Sequence, residues 1–417
     1  MNIAWFLAVL GIGFCGAGCR GPRLELKHQV VVGCSVTNDI FRNSLAGQLR
    51  TAFLPGNYVE PLLNGDQIFP PMIAAIRSAT NTINIETFIW KSGRMCDDFV
   101  EALTERARAG VEVRAIADAL GTLNLKDEDL NKMRAAGVKF IRYNKPRLHL
   151  LNRLNYRDHR KLLIVDGRIG FTGGSCIGDA WLGNAETADL WRDTHFKVLG
   201  PTVAQLQGIF GANWLKTEGE MLFGEKFYPV LEHQGDMLAQ NFASGPQDGG
   251  EFARLVYLSA IAAAQHRIRL EHSYFVPDNL GMEALLKARE RGVDVEIITP
   301  SNIDANIVRR ASRTLWPQLL RAGVKIYEYG PAKLHCKILI VDDYFVSCGS
   351  VNFDERSLRI NDESNINVVD AAFAARMVAD FERDKTQSRV IHLADVKQTP
   401  WYLRTYEWFV GLFRPQL

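Results

Sequence analysis

Short apolar runs alternate with amphipathic stretches along most of the chain, a pattern typical of proteins that alternate strands and helices. Up to residue 143 it predicts an amphipathic helix, a strand ending in Glu86, a helix closed by Gly-Val, a β-branched strand, a third helix and another strand. Helices that alternate with buried apolar strands cover both faces of a sheet. The region is therefore predicted to be an α/β sandwich, with a mixed sheet flanked by helices.

The same succession returns in the second half of the chain. Three segments match in the same order: 79–90 with 263–275, 105–116 with 287–298, and 133–143 with 319–329. The first match aligns Glu86 with Glu271. Matches in a fixed order indicate an internal duplication. The predicted fold is therefore two homologous α/β sandwich lobes.

This duplication divides the chain into five predicted parts. They are a membrane anchor or a signal or lipoprotein segment with its leader (1–58), the first lobe (59–220), a connection (221–250), the second lobe (251–390) and an amphipathic aromatic segment (391–417). The first lobe carries an extra basic, leucine-bearing loop at 144–156. That loop is either surface decoration or part of a substrate entrance.

Both ends of the chain carry features of membrane attachment. Residues 3–14 form an uncharged apolar run, which is either a signal segment cleaved before Cys19 or a short uncleaved anchor. The basic residues that follow the run would keep the main body on the cytoplasmic side of an anchor. Aromatic and basic residues mix at 400–417, as at a membrane interface. The alternatives are a buried N-terminal helix and a C-terminal helix across the lobe junction, so membrane association is expected and its sidedness stays open.

Composition narrows the function classes. The net charge of +2 gives no sign of polyanion binding, and we expect no nucleic-acid partner. The seven cysteines show no C-x-x-C spacing, which indicates neither a zinc site nor a disulfide framework. We expect no metal and no cofactor.

The strongest chemical signal is a segment that occurs once in each half. "DHRKLLIVDG" begins at residue 158 and "LHCKILIVDD" at residue 334. If each segment is one strand, His159 and Lys161 share a face, as do His335 and Lys337. A buried ammonium group needs an anionic partner, so these pairs predict a site for an anion.

The last residue of each motif has a different expected part. Asp166 and Asp342 point away from the His and Lys side chains, and Asp166-Gly167 suits a two-residue hairpin turn. We expect these aspartates to fix the strand end and its electrostatics.

Further polar residues follow each motif. Small-residue corners offer Ser175 in the first half, and Ser350 and Asn352 in the second, as phosphate-binding groups. Downstream, "WRDTHFKV" aligns with "NDESNINV", which pairs Asp193 with Glu363. A carboxylate behind each histidine would fix its tautomer and raise the basicity of Nε2.

These segments, "HRKLLIVD" with "GGS" and "HCKILIVD" with "GSVNFDERS", resemble the phospholipase D superfamily, and "HRKLLIVDGRIGFTGG" with "WRDTHFKVLGP" is most similar to its bacterial cardiolipin synthase branch. The resemblance covers roughly residues 60–385. It implies two lobes that meet at one active site without metal, where one histidine forms a phosphohistidine and the other protonates the leaving alcohol. By analogy His159 is the nucleophile and His335 the acid.

The resemblance makes both motifs the candidate catalytic set: His159, Lys161, Asp166, His335, Lys337 and Asp342, together with Asp193 and Glu363. One position departs from the family, because Cys176 stands where relatives usually carry Asn. Cysteine is a poor substitute for an amide that faces phosphate. Either Ser175 compensates, or this half binds phosphate more weakly.

The preferred function is a membrane-associated phosphatidyltransferase that acts as a monomer and converts phosphatidylglycerol to cardiolipin. The alternatives are a phospholipase D that releases phosphatidic acid, a nucleic-acid phosphodiesterase, and a catalytically inactive membrane scaffold. The intact His, Lys and Asp residues of both motifs argue against the scaffold.

Overall fold

The computed structural model describes residues 26–145, 156–246, 250–303 and 306–397. The predictions for the apolar N-terminal run, the aromatic C-terminal segment and most of the 144–156 loop lie outside the described residues. Within those ranges, no helix is both long enough and apolar enough to cross a membrane.

The helices that the repeat predicts are present in both halves, together with others that it does not predict. In chain order they are α1 (Asp39–Leu49), α2 (Asn64–Ser78), α3 (Arg94–Arg108), α4 (Asp127–Ala135), α5 (Val203–Glu218), α6 (Phe252–Ala263), α7 (Asn279–Glu290), α8 (Asn306–Arg313), α9 (Trp316–Arg321), α10 (Glu355–Arg359), α11 (Ala371–Thr386) and α12 (Leu393–Lys397). The predicted Gly-Val endings are confirmed, since Gly110 and Gly292 follow α3 and α7 with φ of 93° and 87°. This left-handed conformation ends a helix at little cost only when the residue is glycine.

The strands of the first lobe are β1 (Leu54–Leu63), β2 (Thr82–Thr87), β3 (Glu112–Asp118), β4 (Lys139–Tyr143), β5 (Leu162–Val165), β6 (Ile169–Gly173), β7 (Trp191–Arg192) and β8 (Thr194–Leu199). Those that follow are β9 (Met237–Ser244), β10 (Arg267–His272), β11 (Phe275–Val276), β12 (Asp294–Pro300), β13 (Lys325–Tyr329), β14 (Lys333–Leu334), β15 (Lys337–Val341), β16 (Phe345–Gly349), β17 (Phe353–Asp354), β18 (Glu363–Val369) and β19 (Ser388–Ile391).

The two predicted α/β lobes are confirmed, and their sheets are joined. The strand order is β19-β13-β12-β10-β15-β16-β18-β9-β1-β8-β6-β5-β2-β3-β4, one sheet of 15 strands. The junction is the antiparallel pairing of β1 with β9, in which Leu54 faces Ala239. The predicted connection at 221–250 thus contains a sheet strand, and its mixed polar and apolar residues gave no clear period of two.

Helices cover each lobe on its outer face, and a shared apolar layer lies between the lobes. α2, α3 and α4 bury Phe69, Phe99 and Met133 against the first lobe. The shared layer contains residues from both lobes, among them Phe196 and Phe373. Because this layer contains residues of both lobes, it fixes the position of one lobe relative to the other, and with it the position of the motif residues.

Part of the predicted N-terminal leader belongs to the second lobe. Phe41, Leu45 and Leu49 of α1 are buried in the hydrophobic cluster that lies beneath α6 and α7. The Asn38 side chain caps α1 by accepting the backbone N–H of Ile40. From about Asn38 onward, the predicted leader therefore packs against the second lobe.

Candidate active site

The two motif segments leave their sheets and pair with the opposite lobe. The backbone N–H of His159 donates to the carbonyl oxygen of Asp362 at 2.8 Å, and that of His335 donates to Arg192 at 2.7 Å. Strands β5 and β15 begin only after the histidines, at Leu162 and Lys337. The prediction that each histidine lies inside a continuous strand is therefore wrong, because the backbone there bonds across the lobe boundary.

Each histidine ring bonds to a carboxylate from the other lobe. His159 Nδ1 lies 3.0 and 2.9 Å from the two oxygens of Glu363, and His335 Nδ1 lies 2.7 Å from Asp193 Oδ2. All four side chains are at least nine-tenths buried. The sequence placed a carboxylate behind each ring, but the alignment could not show that the pairs cross between lobes.

These bonds fix the tautomer of the neutral rings. A carboxylate accepts the Nδ1 proton, which leaves the lone pair on Nε2. Burial lowers the pKa of His159 to about 4, even though Glu363 opposes the shift. Burial and the nearby Lys337 lower the pKa of His335 to about 3, against the pull of Asp193. Both rings are thus neutral at pH 7 before an anion arrives.

The two carboxylates are held in different ways. The Ser350 hydroxyl lies 2.5 Å from Glu363 Oε2, and the Asn361 amide donates to Oε1 at 3.3 Å. Trp181 Nε1 donates to Asp193 Oδ2 at 2.8 Å. Burial raises the pKa of both carboxyls, but the histidine partner, a lysine ammonium and a further hydrogen-bond donor together outweigh it and lower the net pKa of each. Both carboxylates are therefore ionised.

Ser350 does not fit its predicted part as a phosphate ligand. Its hydroxyl bonds to Glu363, and its oxygen accepts the backbone N–H of Ser364 at 3.0 Å. A hydroxyl engaged in this way has little capacity left for a substrate oxygen. Its place is to orient Glu363 behind His159.

The two lysines occupy equivalent positions beneath the rings. Lys161 Nζ donates to the carbonyl of His159 at 2.5 Å, and Lys337 Nζ donates to that of His335 at 2.5 Å. Burial lowers the pKa of Lys337 to about 8, with Asp193 opposing the shift. Both ammonium charges lower the pKa of each histidine. The arrangement concentrates positive charge where a phosphodiester anion would sit.

Asp166 and Asp342 lie at the far ends of β5 and β15, not in this cluster. Asp166 accepts the backbone N–H groups of residues 80, 81 and 82 at 2.7–2.8 Å, and Asp342 accepts those of residues 265, 266 and 267 at 2.8–2.9 Å. Their φ values of 51° and 52° confirm the predicted tight turns. The inclusion of these two residues in the catalytic set is therefore corrected. Both carboxylates accept backbone N–H groups and thereby anchor a neighbouring strand.

The remaining phosphate-binding candidates, Ser175 and Asn352, are 6% and 2% exposed. Within the described residues, Ser175 Oγ and Asn352 Oδ1 have no hydrogen-bond partner. Cys176 is buried and, with Ser175 and Lys161, lines a cavity of about 20 Å³. An unpaired hydroxyl at Ser175 fits the expectation that it compensates for the thiol of Cys176.

Sequence reasoning missed several residues around the rings. The Phe88 ring centroid lies 5.2 Å from that of His159, and the Trp191 centroid lies 4.3 Å from that of His335. His195 is 1% exposed, lines the same cavity as Ser175, and has no partner at either ring nitrogen among the described residues. Trp191 and His195 both lie in the "WRDTHFKV" segment, whose alignment with the second half marks only a carboxylate.

Comparisons with known proteins point to one family. The family described as "Cardiolipin synthase, PLD-like domain" matches residues 72–214 and 257–385. A cardiolipin synthase of Geobacillus kaustophilus is 36% identical over 359 residues, 85% of this chain and 72% of that protein. A probable cardiolipin synthase of Bacillus subtilis is 33% identical over 357 residues, 85% of this chain and 71% of that protein.

A solved structure shares the fold. The phosphatidylserine synthase of Haemophilus influenzae superposes with a TM-score of 0.66 at 14% identity, over 90% of this chain and 100% of that one. The duplicated lobes, the crossed His–carboxylate pairs and the relatives lead to one conclusion: the chain belongs to the phospholipase D superfamily, in its bacterial cardiolipin synthase branch.

Proposed function

We propose that the protein is a phosphatidyltransferase that joins two phosphatidylglycerol molecules into cardiolipin, with release of glycerol. The crossed pairs carry this proposal, since His159 with Glu363 and His335 with Asp193 supply two imidazoles of fixed tautomer beside two buried ammonium groups. Phosphodiester exchange needs a nucleophile, a proton donor and positive charge on the non-bridging oxygens. The relatives named cardiolipin synthase support the choice of lipid substrate.

In the proposed first half-reaction, His159 Nε2 attacks phosphorus and a P–N bond forms. The bound phosphodiester anion raises the pKa of His335, so this ring enters the step protonated on Nε2. The P–O bond to the glycerol headgroup breaks, and the leaving oxygen takes that proton from His335. Glu363 stabilises the charge that develops on His159, while Lys161 and Lys337 hold the non-bridging oxygens. The nucleophile is assigned by resemblance to the family, because the two halves of the site are nearly symmetric.

The second half-reaction is the reverse with a new alcohol. A hydroxyl of the second phosphatidylglycerol gives its proton to His335 and attacks phosphorus, and the P–N bond breaks. Water in place of that alcohol would give phosphatidic acid. Exclusion of water by the lipid acceptor therefore decides between transfer and hydrolysis.

Membrane association and a single-chain unit are part of the proposal. Both substrates lie in a bilayer, and the apolar run at 3–14 supplies an attachment. Each half of the site takes its carboxylate from the other predicted lobe, 59–220 or 251–390, so one chain suffices and neither lobe alone would be active.

Expression in cells that lack cardiolipin tests this function. Wild-type protein should produce cardiolipin, while His159→Ala and His335→Ala should not. His266→Ala is the matched control, because this histidine side chain is exposed at a strand end and should leave activity unchanged. Accumulation of phosphatidic acid without cardiolipin would mean that the protein is a hydrolase instead.

A further inference from the structure

At three positions around the site, the first lobe has an apolar residue where the second lobe has a polar one. Phe88 and Ser273 each follow the aligned glutamate of β2 or β10 by two residues. Trp191 and Asn361 each precede the ring-bonded carboxylate by two residues. The third pair is Cys176 in the first lobe and Asn352 in the second. At every one of these positions the first lobe is apolar and the second is polar.

The first-lobe residues form an aromatic wall beside both histidines. Phe88 packs edge-on against His159, and its ring centroid lies 5.6 Å from Lys161 Nζ. Trp191 packs against His335 and also against Trp181, at a centroid distance of 4.8 Å. Phe88 and Trp191 are both partly exposed, so their outer faces are available to a substrate.

The second-lobe residues present oxygen atoms instead. Ser273, Asn352 and Asn361 are 3%, 2% and 5% exposed. Among the described residues, Ser273 Oγ, Asn352 Oδ1 and Asn361 Oδ1 have no hydrogen-bond partner. The Ser273 backbone donates to the carbonyl of Cys336, next to His335. Buried acceptors without partners are costly unless a ligand supplies the donors.

We infer that the two lobes divide the substrate between them: the aromatic wall of the first lobe holds the diacylglycerol arm, and the polar wall of the second lobe binds the hydroxyl-bearing alcohol. This inference rests on the proposed function and assigns an orientation within it. The diacylglycerol arm stays on the enzyme through both half-reactions, whereas one glycerol-bearing alcohol leaves and another enters. A fixed apolar wall suits the arm that stays. Unpaired acceptors suit glycerol hydroxyls that are exchanged.

The first test of this division compares dihexanoylphosphatidylglycerol with glycerophosphoglycerol, which has the same headgroup and no acyl chains. The variants Phe88→Ser and Trp191→Asn convert each wall residue to its second-lobe counterpart. Both should be slower on either substrate, but the ratio of kcat/KM for the lipid to that for the chainless diester should fall about tenfold. Phe223→Ser, an exposed aromatic residue of the connection at 74% exposure, is the matched control and should keep the wild-type ratio.

The second test concerns the polar wall. Wild-type protein should transfer the phosphatidyl group to glycerol in preference to 1-propanol, and Ser273→Ala should reduce that preference about tenfold, since its site can no longer bond the extra hydroxyls. Loss of folding alone would not change a ratio measured within one sample.

The outcomes separate the inference from the function. Cardiolipin formation by wild-type protein with unchanged ratios in all three variants would overturn the division of the substrate and leave the function intact. Phosphatidic acid as the only wild-type product would overturn the function, while the lipid-to-diester ratio would still decide the inference. Failure to consume the lipid at all would overturn both.

Discussion

The two lobes supply the same catalytic pair but hold it differently. In the first lobe a short carboxylate, Asp193, is fixed by the Trp181 indole, and a glycine, Gly174, lies against it. In the second lobe a longer carboxylate, Glu363, is fixed by the hydroxyl of Ser350, which occupies the place of Gly174. In each lobe the carboxylate and the residue beside it differ together, as Asp193 with Gly174 and as Glu363 with Ser350. A duplicated site can therefore drift in sequence while the bond to each ring stays fixed.

The space behind the lysines differs as well. In the second lobe the Tyr257 hydroxyl lies 3.4 Å from His272 Nε2 and 3.3 Å from the carbonyl of Val351. In the first lobe the corresponding residue is Met72, which lines the cavity of about 20 Å³ together with His195. The second lobe thus places a tyrosine hydroxyl where the first lobe leaves a small cavity with a mainly apolar lining.

The largest expected effect comes from the histidines themselves. His159→Ala and His335→Ala should each reduce kcat by roughly 10³ or more, because each removes the nucleophile or the proton donor. The double variant should be little worse than either single one, as expected for groups that act on the same bond. Retention of about half of the wild-type kcat in each single variant, with loss of activity only in the double variant, would mean that each lobe works alone.

The crossed carboxylates come next. Glu363→Gln and Asp193→Asn should each reduce kcat about 10²-fold, since the amide no longer holds the correct tautomer. The pairing can be resolved by double-variant cycles with an activated aryl phosphodiester. Glu363→Gln should couple to His159→Ala and not to His335→Ala. The opposite pattern would show that each carboxylate serves the histidine of its own lobe.

The residues behind the carboxylates should respond unequally. A Cβ at Gly174 would lie 2.1 Å from Asp193 Oδ1, so Gly174→Ser should displace Asp193 and reduce kcat by more than tenfold. Ser350→Ala removes one hydrogen bond to a charged group and should cost about tenfold in kcat. Equal losses, measured by single-turnover kinetics, would contradict the different packing of the two lobes.

The pH dependence should report Lys337. Its pKa of about 8 means that the ammonium is charged below that pH and loses its proton as the pH rises through it, so kcat/KM should fall about tenfold per unit above pH 8. A bound phosphodiester anion favours the charged form of Lys337. The fall in kcat should therefore occur at a higher pH than the fall in kcat/KM. Lys337→Arg should lower the rate and abolish this fall, whereas Lys161→Arg should lower the rate and keep it. Retention of the fall in Lys337→Arg would assign it to another group.

The smallest effect on activity is expected at the motif aspartates. Asp166→Ala should lower the free energy of unfolding by about 2 kcal/mol, since it leaves backbone N–H groups unpaired and places alanine at positive φ. The folded fraction should keep kcat near the wild-type value. Asp166→Asn should be milder, because asparagine tolerates this conformation. A loss of kcat without a loss of stability, measured by chemical unfolding beside activity, would return Asp166 to the catalytic set.

The sequence predicted the fold because the apolar period changes from strand to helix at the same places in both halves. It also located His159, His335 and both lysines, because a repeated motif marks them. It could not show that Glu363 serves His159. An alignment of the two halves shows which positions are equivalent, but it carries no information on which edges of the two lobes meet. Phe88 and Trp191 were missed for a related reason, as an aromatic residue in an apolar run has no distinct signal. The joined sheet escaped because β9 mixes polar and apolar residues on both faces.

The central claim is that both lobes act on one phosphorus atom, and counting phosphoenzyme tests it most directly. An activated aryl phosphodiester with a labelled phosphate, quenched before turnover in the His335→Ala variant, should label each chain once, on His159, because its leaving group needs no acid. Two labelled histidines per chain in wild-type protein, or label on a residue outside both motifs, would contradict a single shared site.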